Sequence, residues 1–252
     1  MKKIKRALIS VSDKSNLKKL LVILKKFNVE IISSGGTFKE ITKLGYDCIE
    51  VSNYTNTPEI LDGRVKTLHP KIHGGILNVR NNKSHQKSIK INNYKEIDLV
   101  VVNFYPFEKI IQSSNNHDKI IENIDIGGPT LVRSAAKNYK DVTVITNPEQ
   151  YLELINQMKF LNGGTSIELR KKLSNEAFSE TGYYDSLISN YFNKLTGNEF
   201  PKKKVIGSKI IDEFRYGENP HQKGALYSSA YNFQLEQLSG KKLSYNNYND
   251  IF

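Results

Sequence analysis

Apolar residues recur along the first 160 positions in two alternating patterns, one typical of strands and one typical of helices. Residues 6–11 form a short apolar run rich in strand formers, and residues 98–104 form a nearly continuous one, as expected of a strand buried on both faces. Four leucines within residues 17–24 follow the i, i+3, i+4, i+7 spacing of a helix with one buried face. Strands and helices that alternate in this way predict an α/β domain with a parallel sheet flanked by helices.

The other elements of this domain are predicted from local signals. Glycines and prolines mark helix starts, and Thr165 with Glu168 has the spacing of a capping box. We therefore predict strands at 29–33 and 142–146, a helix from Gly35 to about Leu44, a helix with Pro129 at its first position, and a long helix at 166–194.

The chain is expected to contain more than one domain. We predict a first domain at residues 1–197, a linker at 198–208 and the incomplete start of a second α/β domain at 209–252. The last segment is shorter than an ordinary domain and ends without a closing element.

Composition excludes several classes of protein. The chain has 252 residues, of which 38% are hydrophobic and 25% charged, and its single cysteine, Cys48, excludes an intramolecular disulfide and an all-cysteine metal cluster. The first apolar run is too short for a signal peptide, and no run approaches the roughly 20 residues of a membrane span. We expect a cytoplasmic protein with no membrane partner.

The charge balance is strongly basic, with 37 Lys and Arg against 26 Asp and Glu and a formal net charge of +11. Such a charge can indicate nucleic-acid binding. However, the lysines are scattered, and Asn, Ile, Lys, Tyr and Phe, which all have AT-rich codons, are all abundant. We favour compositional bias together with a small anionic substrate, and expect no nucleic-acid partner.

Polar or small residues follow the predicted strands, at the edge where parallel sheets bind ligands. They are Ser10, Ser12, Asp13 and Lys14 after the first strand, residues 33–37 after the second, and Asn103, Phe104 and Tyr105 after the long apolar run. Ser34-Gly35-Gly36-Thr37 before a helix suits a phosphate, because glycines let backbone N–H groups approach an anion. An ordinary strand-to-helix turn is the alternative.

Residues 63–75 contain three cations and two histidines. His69 and His73 have the spacing of paired metal ligands on a helix, but the proline between them makes a helix doubtful, and we expect no metal there. Arg64 and Lys66 fit better as cations around a phosphate or a developing oxyanion. A solvated basic loop is the alternative.

Asp125 lies just before a predicted helix N-terminus. A carboxylate in this place is either an acidic residue favoured by the helix dipole or a group positioned to handle a proton.

Eight segments in this order carry a resemblance to a known family: ALISVSDK (7–14), SSGGT (33–37), DGRVKTLHP (62–70), NFYPF (103–107), IDIGGP (124–129), RSAAKN (133–138), AFSET (177–181) and RYGENPHQ (215–222). The chain is similar, over all 252 residues, to the bifunctional purine-biosynthesis enzymes that combine AICAR transformylase with IMP cyclohydrolase.

The resemblance implies a fold, two activities and a quaternary structure. The first domain would have the methylglyoxal-synthase-like fold and convert FAICAR to IMP and water, with no cofactor and no metal. The second would begin the transformylase, which transfers a formyl group from 10-formyltetrahydrofolate to AICAR and whose catalytic Lys–His pair lies further along than this chain extends. Family members are about twice as long and dimeric, so a homodimer is expected.

The resemblance also implies site residues. The catalytic positions fall on Lys66, Tyr105, Asp125 and Lys137, with Lys66 at the oxyanion, Tyr105 and Asp125 sharing the proton transfers, and Lys137 tuning Asp125. Residues expected to bind the substrate are Ser10, Ser12, Lys14, Ser34, Gly35, Gly36, Thr37, Arg64, Thr67, Asn103, Phe104, Ile126 and Gly127. In the transformylase half, Arg215 and Tyr216 would belong to an incomplete substrate site.

One distance complicates the role of Lys137. If the helix begins near Pro129, Lys137 lies about 12 Å along it. A bent helix, a contribution to the site of a partner subunit and an indirect role all remain open.

Three other functions compete with the cyclohydrolase. The same fold serves as a regulatory domain in carbamoyl phosphate synthetase, which would make this chain a non-catalytic nucleotide-binding domain. Methylglyoxal synthase is a lyase acting on a triose phosphate, and a basic nucleic-acid-binding module is the third. Lys66, Tyr105 and Asp125 together favour the cyclohydrolase, since a sensor does not need them.

Overall fold

The computed structural model describes residues 1–229, 239–241 and 243–251. The chain divides into two compact units, Met1–Thr181 and Gly182–Phe252, each described here by itself. The predicted boundaries at residues 197 and 208 stay predictions.

A five-stranded parallel sheet, in the order β4-β3-β2-β5-β6, forms the centre of the first unit. A separate antiparallel pair, β1 with β7, lies outside this sheet. The strands of the unit are β1 Lys2–Lys3, β2 Arg6–Val11, β3 Glu30–Ser33, β4 Ile49–Glu50, β5 Leu99–Asn103, β6 Thr143–Ile145 and β7 Gly164–Thr165. The predicted α/β class is confirmed.

Helices follow most of the strands and cover the sheet. They are α1 Leu17–Lys26, α2 Gly35–Lys43, α3 Val51–Thr55, α4 Pro70–Leu77, α5 Lys83–Ile91, α6 Phe107–Ser113, α7 His117–Glu122, α8 Gly127–Lys137, α9 Tyr151–Phe160 and α10 Ile167–Leu195, which continues into the second unit. The four leucines of α1 are almost completely buried, as their spacing predicts. The strand β5 is buried at four of its five positions.

Three local predictions were wrong in detail. The helix α8 begins at Gly127, so Pro129 is its third residue and not its first. Ser166 rather than Thr165 accepts a backbone hydrogen bond at the start of α10, because the Thr165 hydroxyl is buried against that of Thr143. The proline between the two histidines does not prevent a helix, since Pro70 occupies the first turn of α4, where its missing N–H costs nothing.

A polar network closes the amino-terminal edge of the sheet. Asp98 Oδ2 accepts hydrogen bonds from the backbone N–H groups of Lys5 (2.9 Å) and Arg6 (3.1 Å). Asp141 accepts one from the N–H of Arg80 (3.0 Å) and forms an ion pair with Lys2 (2.6 Å). The opposite edge, at the carboxyl ends of the strands, is left open for a ligand.

In the second unit, β8 (Ser208–Phe214) and β9 (Gly224–Ser229) form an antiparallel pair, and α11 (Tyr245–Ile251) follows. The ring of Phe214 stacks on that of Tyr248, with centroids 5.4 Å apart. None of the helices among the described residues is both long and apolar enough to cross a membrane.

Candidate active site

A cavity of about 620 Å³ opens at the carboxyl ends of β2, β3 and β5. This volume lies in the range of small-molecule sites. Most of the residues expected at the site line it: Ser10, Ser12, Lys14, Ser34, Gly35, Gly36, Thr37, Arg64, Lys66, Thr67, Asn103, Tyr105, Asp125, Ile126 and Gly127.

Two helix N-termini face this cavity. The helix α2 begins at Gly35, and α8 begins at Gly127. The side chain of Ser34 forms no capping hydrogen bond to α2, so the first-turn N–H groups keep their capacity for a ligand. Aligned peptide dipoles add a favourable field for negative charge at both places. The cavity therefore suits an anion such as a phosphate.

Both cations of the 63–75 segment that line the cavity are paired with carboxylates. Lys66 Nζ lies 2.6 Å from Glu59 Oε1, and Arg64 pairs with Glu122 at the end of α7. These side chains are partly exposed. An anionic ligand in the cavity would therefore contact cations that already form ion pairs with carboxylates of the same chain.

Asp125 is the titratable group of the cavity whose pKa departs upward from its usual value. Burial raises the pKa of this carboxyl, and hydrogen bonds from the backbone N–H groups of Gly128 and Tyr105 oppose the rise without cancelling it. The Gly128 hydrogen bond measures 2.8 Å. A carboxylate with a raised pKa is suited to accept a proton near neutral pH.

Two residues expected to bind substrate also fix the loop after β2. Asn103 Oδ1 accepts hydrogen bonds from the N–H groups of Ser12 (2.6 Å) and Asp13 (2.9 Å), and Asn103 Nδ2 donates to the carbonyl of Asp13 (2.9 Å). Thr37 Oγ1 lies 3.0 Å from both the N and the O of Val11. With their polar atoms engaged in this way, both side chains shape the wall of the cavity.

Four of the expected residues do not line the cavity. Phe104 packs partly buried against the hydrophobic core. Lys137 is exposed at the last position of α8, about 15 Å along the axis from Gly127. Arg215 and Tyr216 follow β8 in the second unit. Residues 238–247 also resemble the transformylase, and two of them, Leu238 and Lys242, lie outside the described residues.

Several residues of the site were not anticipated. Glu59 was missed although it lies only seven positions before Lys66, and Glu122 was missed because 58 positions separate it from Arg64. Of these two, Glu122 lines the cavity and Glu59 does not, and the other unanticipated lining residues are Val11, Gly63, Ile121, Ile124, Gly128 and Leu131. The only local signal for Glu59 was its opposite charge on the same loop as Lys66.

The two histidines bond to protein groups. His69 Nδ1 accepts the N–H of Lys71 (3.1 Å), and its Nε2 lies 3.3 Å from Thr57 Oγ1. His73 Nδ1 lies 3.1 Å from Ser134 Oγ. Among the described residues, no group of three or more His, Cys, Asp or Glu is placed to hold a metal ion.

Comparison with known families divides the chain into two matched parts. Residues 16–130 match the MGS-like domain, and residues 135–252 match the AICARFT/IMPCHase bienzyme. The expected fold of the first part is confirmed.

Similar curated proteins carry the name bifunctional purine biosynthesis protein PurH. Those of Rhodospirillum rubrum and Clostridioides difficile are 47% and 49% identical over 251 residues, which is 98% of this chain and 48% and 49% of their own lengths. The protein of Bacillus subtilis is 46% identical, with 98% of this chain and 49% of its own length covered. The chain thus spans about half the length of these relatives.

Among solved structures, the chain is similar to that titled "Crystal structure of ForH". The TM-score is 0.68 at 28% identity, and the match covers 75% of this chain and 99% of the other.

Proposed function

The chain belongs to the AICARFT/IMPCHase bienzyme family, and we propose that its MGS-like domain is an IMP cyclohydrolase of purine biosynthesis, which converts FAICAR to IMP and water. One observation carries this proposal: Lys66, Tyr105 and Asp125 line a single cavity, together with the N-termini of α2 and α8. A domain that only senses a nucleotide needs the anion site, but it does not need a carboxylate with a raised pKa and a lysine in the same cavity.

Ring closure requires the carboxamide nitrogen of FAICAR to attack its formyl carbon. The carboxamide nitrogen loses one proton and the formyl oxygen gains one, which gives a closed ring that carries a hydroxyl group. That hydroxyl then leaves as water together with one further proton from a ring nitrogen. We assign the first proton to Asp125, whose raised pKa favours proton uptake, and a shared role in these transfers to Tyr105, which is half exposed in the cavity.

The negative charge that develops on the formyl oxygen needs a donor. We assign this role to Lys66, assisted by backbone N–H groups at the start of α8, because fixed donors in a partly enclosed site stabilise such charge. The 5′-phosphate and ribose would be bound by side chains and N–H groups of the remaining lining residues: Ser10, Ser12, Lys14, Ser34, Gly35, Gly36, Thr37, Arg64, Thr67, Asn103, Ile126 and Gly127. Phe104, which packs outside the cavity, would support it indirectly.

Lys137 requires a second copy of the chain if it acts at the site, since it lies far from the cavity of its own chain. We propose a homodimer in which Lys137 serves the partner subunit. Mixing Lys66→Met with Lys137→Met protein should then restore turnover, because each mixed dimer contains one intact site. If Lys137 acts within its own subunit, every site of the mixture is defective and no activity returns.

In a protein of the relatives' full length, we propose that the second domain transfers a formyl group from 10-formyltetrahydrofolate to AICAR. Arg215 and Tyr216 would contribute to that substrate site.

The first test is turnover of FAICAR to IMP by this chain, followed by ultraviolet absorbance. Lys66→Met should lower the rate by on the order of 10²- to 10³-fold while leaving nucleotide binding measurable. Lys159→Met, at an exposed position of α9 outside the cavity, is the matched control and should leave the rate unchanged.

Each alternative function predicts a different result in an assay of its own, run beside FAICAR turnover. Binding of IMP without turnover of FAICAR would favour the regulatory domain, and turnover of a triose phosphate would favour a methylglyoxal synthase. Oligonucleotide binding with a steep salt dependence would favour the nucleic-acid module.

A further inference from the structure

The ammonium group of Lys66 is held on several sides. Its Nζ lies 2.6 Å from Glu59 Oε1, and the same side chain passes close to the backbone of Gly63 and Gly35. A Cβ at Gly63 would lie 2.6 Å from Lys66 Cε and 2.9 Å from Nζ, and a Cβ at Gly35 would lie 3.2 Å from Nζ. The lysine therefore occupies a slot with two glycine walls.

These two glycines are also required by the backbone. Gly63 has φ +88° and Gly35 has φ +54°, in the left-handed region that other residues adopt at a cost. The start of α2 and the segment before α4 are thus both shaped so that their backbones approach the Lys66 amine. A surface lysine that only meets solvent would not need such a shape.

Glu59 reaches this amine from outside the reaction cavity. Lys66 lines the cavity, whereas Glu59 lies with it in a neighbouring crevice that also includes Ser34 and His69. The Glu59 carboxylate therefore contacts Lys66 without lining the cavity itself.

We propose that Glu59 is a positioning residue, which holds the Lys66 ammonium at the oxyanion position through the slot formed by Gly35 and Gly63. Lysine has a flexible four-carbon stem, and fixing its charge before substrate arrives avoids reorganisation during the reaction. The predicted effect on turnover rests on the proposed cyclohydrolase function. The predicted effect on the chemical reactivity of the Lys66 amine does not rest on it.

Replacement of the carboxylate tests the effect on turnover. Glu59→Gln should lower kcat by on the order of 10- to 100-fold with a smaller change in KM, because a displaced catalytic group costs the transition state more than the bound substrate. Glu59→Asp, which keeps the charge, should recover part of the loss.

The matched control is Glu153→Gln. It removes the nearer of the two carboxylates that pair with Lys172, at 2.7 Å, between α9 and α10 and away from the cavity, while Glu176 stays 3.7 Å from the same amine. It should leave kcat unchanged. If Glu59→Gln behaves like this control, or raises KM alone, the positioning role is wrong.

A second measurement does not depend on any substrate. Acetylation of individual lysines by an amine-reactive reagent, read by mass spectrometry, reports how firmly each amine is held. Glu59→Gln should raise the labelling rate of Lys66 but not that of Lys172, and Glu153→Gln should do the reverse.

The two readouts separate the two proposals. If the native chain does not turn over FAICAR but Lys66 labelling responds to Glu59→Gln, the cyclohydrolase proposal fails and the structural part of this inference stands. If Lys66 labelling does not respond, Glu59 does not hold the amine, whatever the turnover.

Discussion

The carboxylate of Asp125 accepts a hydrogen bond of 2.8 Å from the backbone N–H of Gly128, in the first turn of α8. Two opposing effects meet at this contact. The helix N-terminus and its N–H groups favour the ionised carboxylate, while burial favours the protonated acid, and burial is the larger effect on the pKa. Asp125 therefore accepts a helix N–H as a capping residue does, and its raised pKa also suits it to exchange a proton.

Replacing this carboxylate should separate catalysis from folding. We expect Asp125→Asn to lower kcat for FAICAR by on the order of 10²- to 10⁴-fold, because the amide keeps the shape but cannot take up the proton. Steady-state kinetics measures the loss. Asp118→Asn, at an exposed position in the first turn of α7, should retain native kinetics, and equal activity of the two variants would remove Asp125 from the mechanism.

The same raised pKa predicts how stability depends on pH. The folded protein holds the Asp125 proton more tightly than the unfolded chain does, so ionisation of this group lowers stability as pH rises from the usual value, near 3.9, through the folded pKa. Asp125→Asn should therefore be at least as stable as the native chain at neutral pH. The difference in the free energy of unfolding between the variant and the native chain should become smaller at acid pH. Urea unfolding at a series of pH values measures this difference. A variant that is less stable at pH 7 and not at pH 4 would contradict the expected sign.

The pH profile of turnover should carry the same signature. Since the base must be ionised to accept a proton, kcat should fall on the acid side with a midpoint above the usual aspartate value. Measurement of kcat between pH 4 and 8 tests this. A profile without an acid limb in the native chain would exclude Asp125 as the base.

The contact between Thr67 and Gly127 should control substrate affinity. A Cβ at Gly127 would lie 2.8 Å from Thr67 Oγ1, and both residues line the cavity, so Gly127→Ala must displace one wall. We expect KM for FAICAR to rise. Gly182→Ala is the control, because it meets open space within α10 and should stabilise the helix by about 0.5–1 kcal/mol without changing KM.

The network at the amino-terminal edge of the sheet should support stability in a pH-dependent way. Burial tends to raise the pKa of Asp141, but the hydrogen bonds and charges of Lys2 and Arg80 outweigh it, and the pKa is lowered overall. Its contribution is therefore present above the usual aspartate pKa and lost as pH falls through the folded value. Asp141→Asn should cost about 1–3 kcal/mol in urea unfolding at pH 7.

Two comparisons check this assignment. The difference between Asp141→Asn and the native chain should narrow at strongly acid pH, and the exposed Asp118→Asn should show little change at either pH. A constant difference across pH would mean that packing rather than charge is responsible.

The amino-acid sequence determined the elements of this protein and the composition of its site. Hydrophobic periodicity reports burial within one element, so the leucines of α1 and the apolar run of β5 predicted those elements directly. Strand ends can also be predicted from local sequence. Because ligands bind at the carboxyl ends of the strands of a parallel sheet, the sequence predicted that Ser34, Asn103 and Tyr105 belong to one site, and all three line the cavity.

Tertiary structure decided which groups contact one another. Arg64 meets Glu122, and Thr67 approaches Gly127, across about 60 positions of chain, and Lys66 meets Glu59 only because the loop between them turns back through residues with positive φ. The position of Lys137 outside the cavity likewise follows from the length and start of α8. Local patterns do not encode such pairings, because they depend on how separate loops pack at one edge of the sheet. That packing buries Asp125, which raises the pKa of its carboxyl, and it pairs Lys66 with Glu59. Both features of the site therefore come from the tertiary structure.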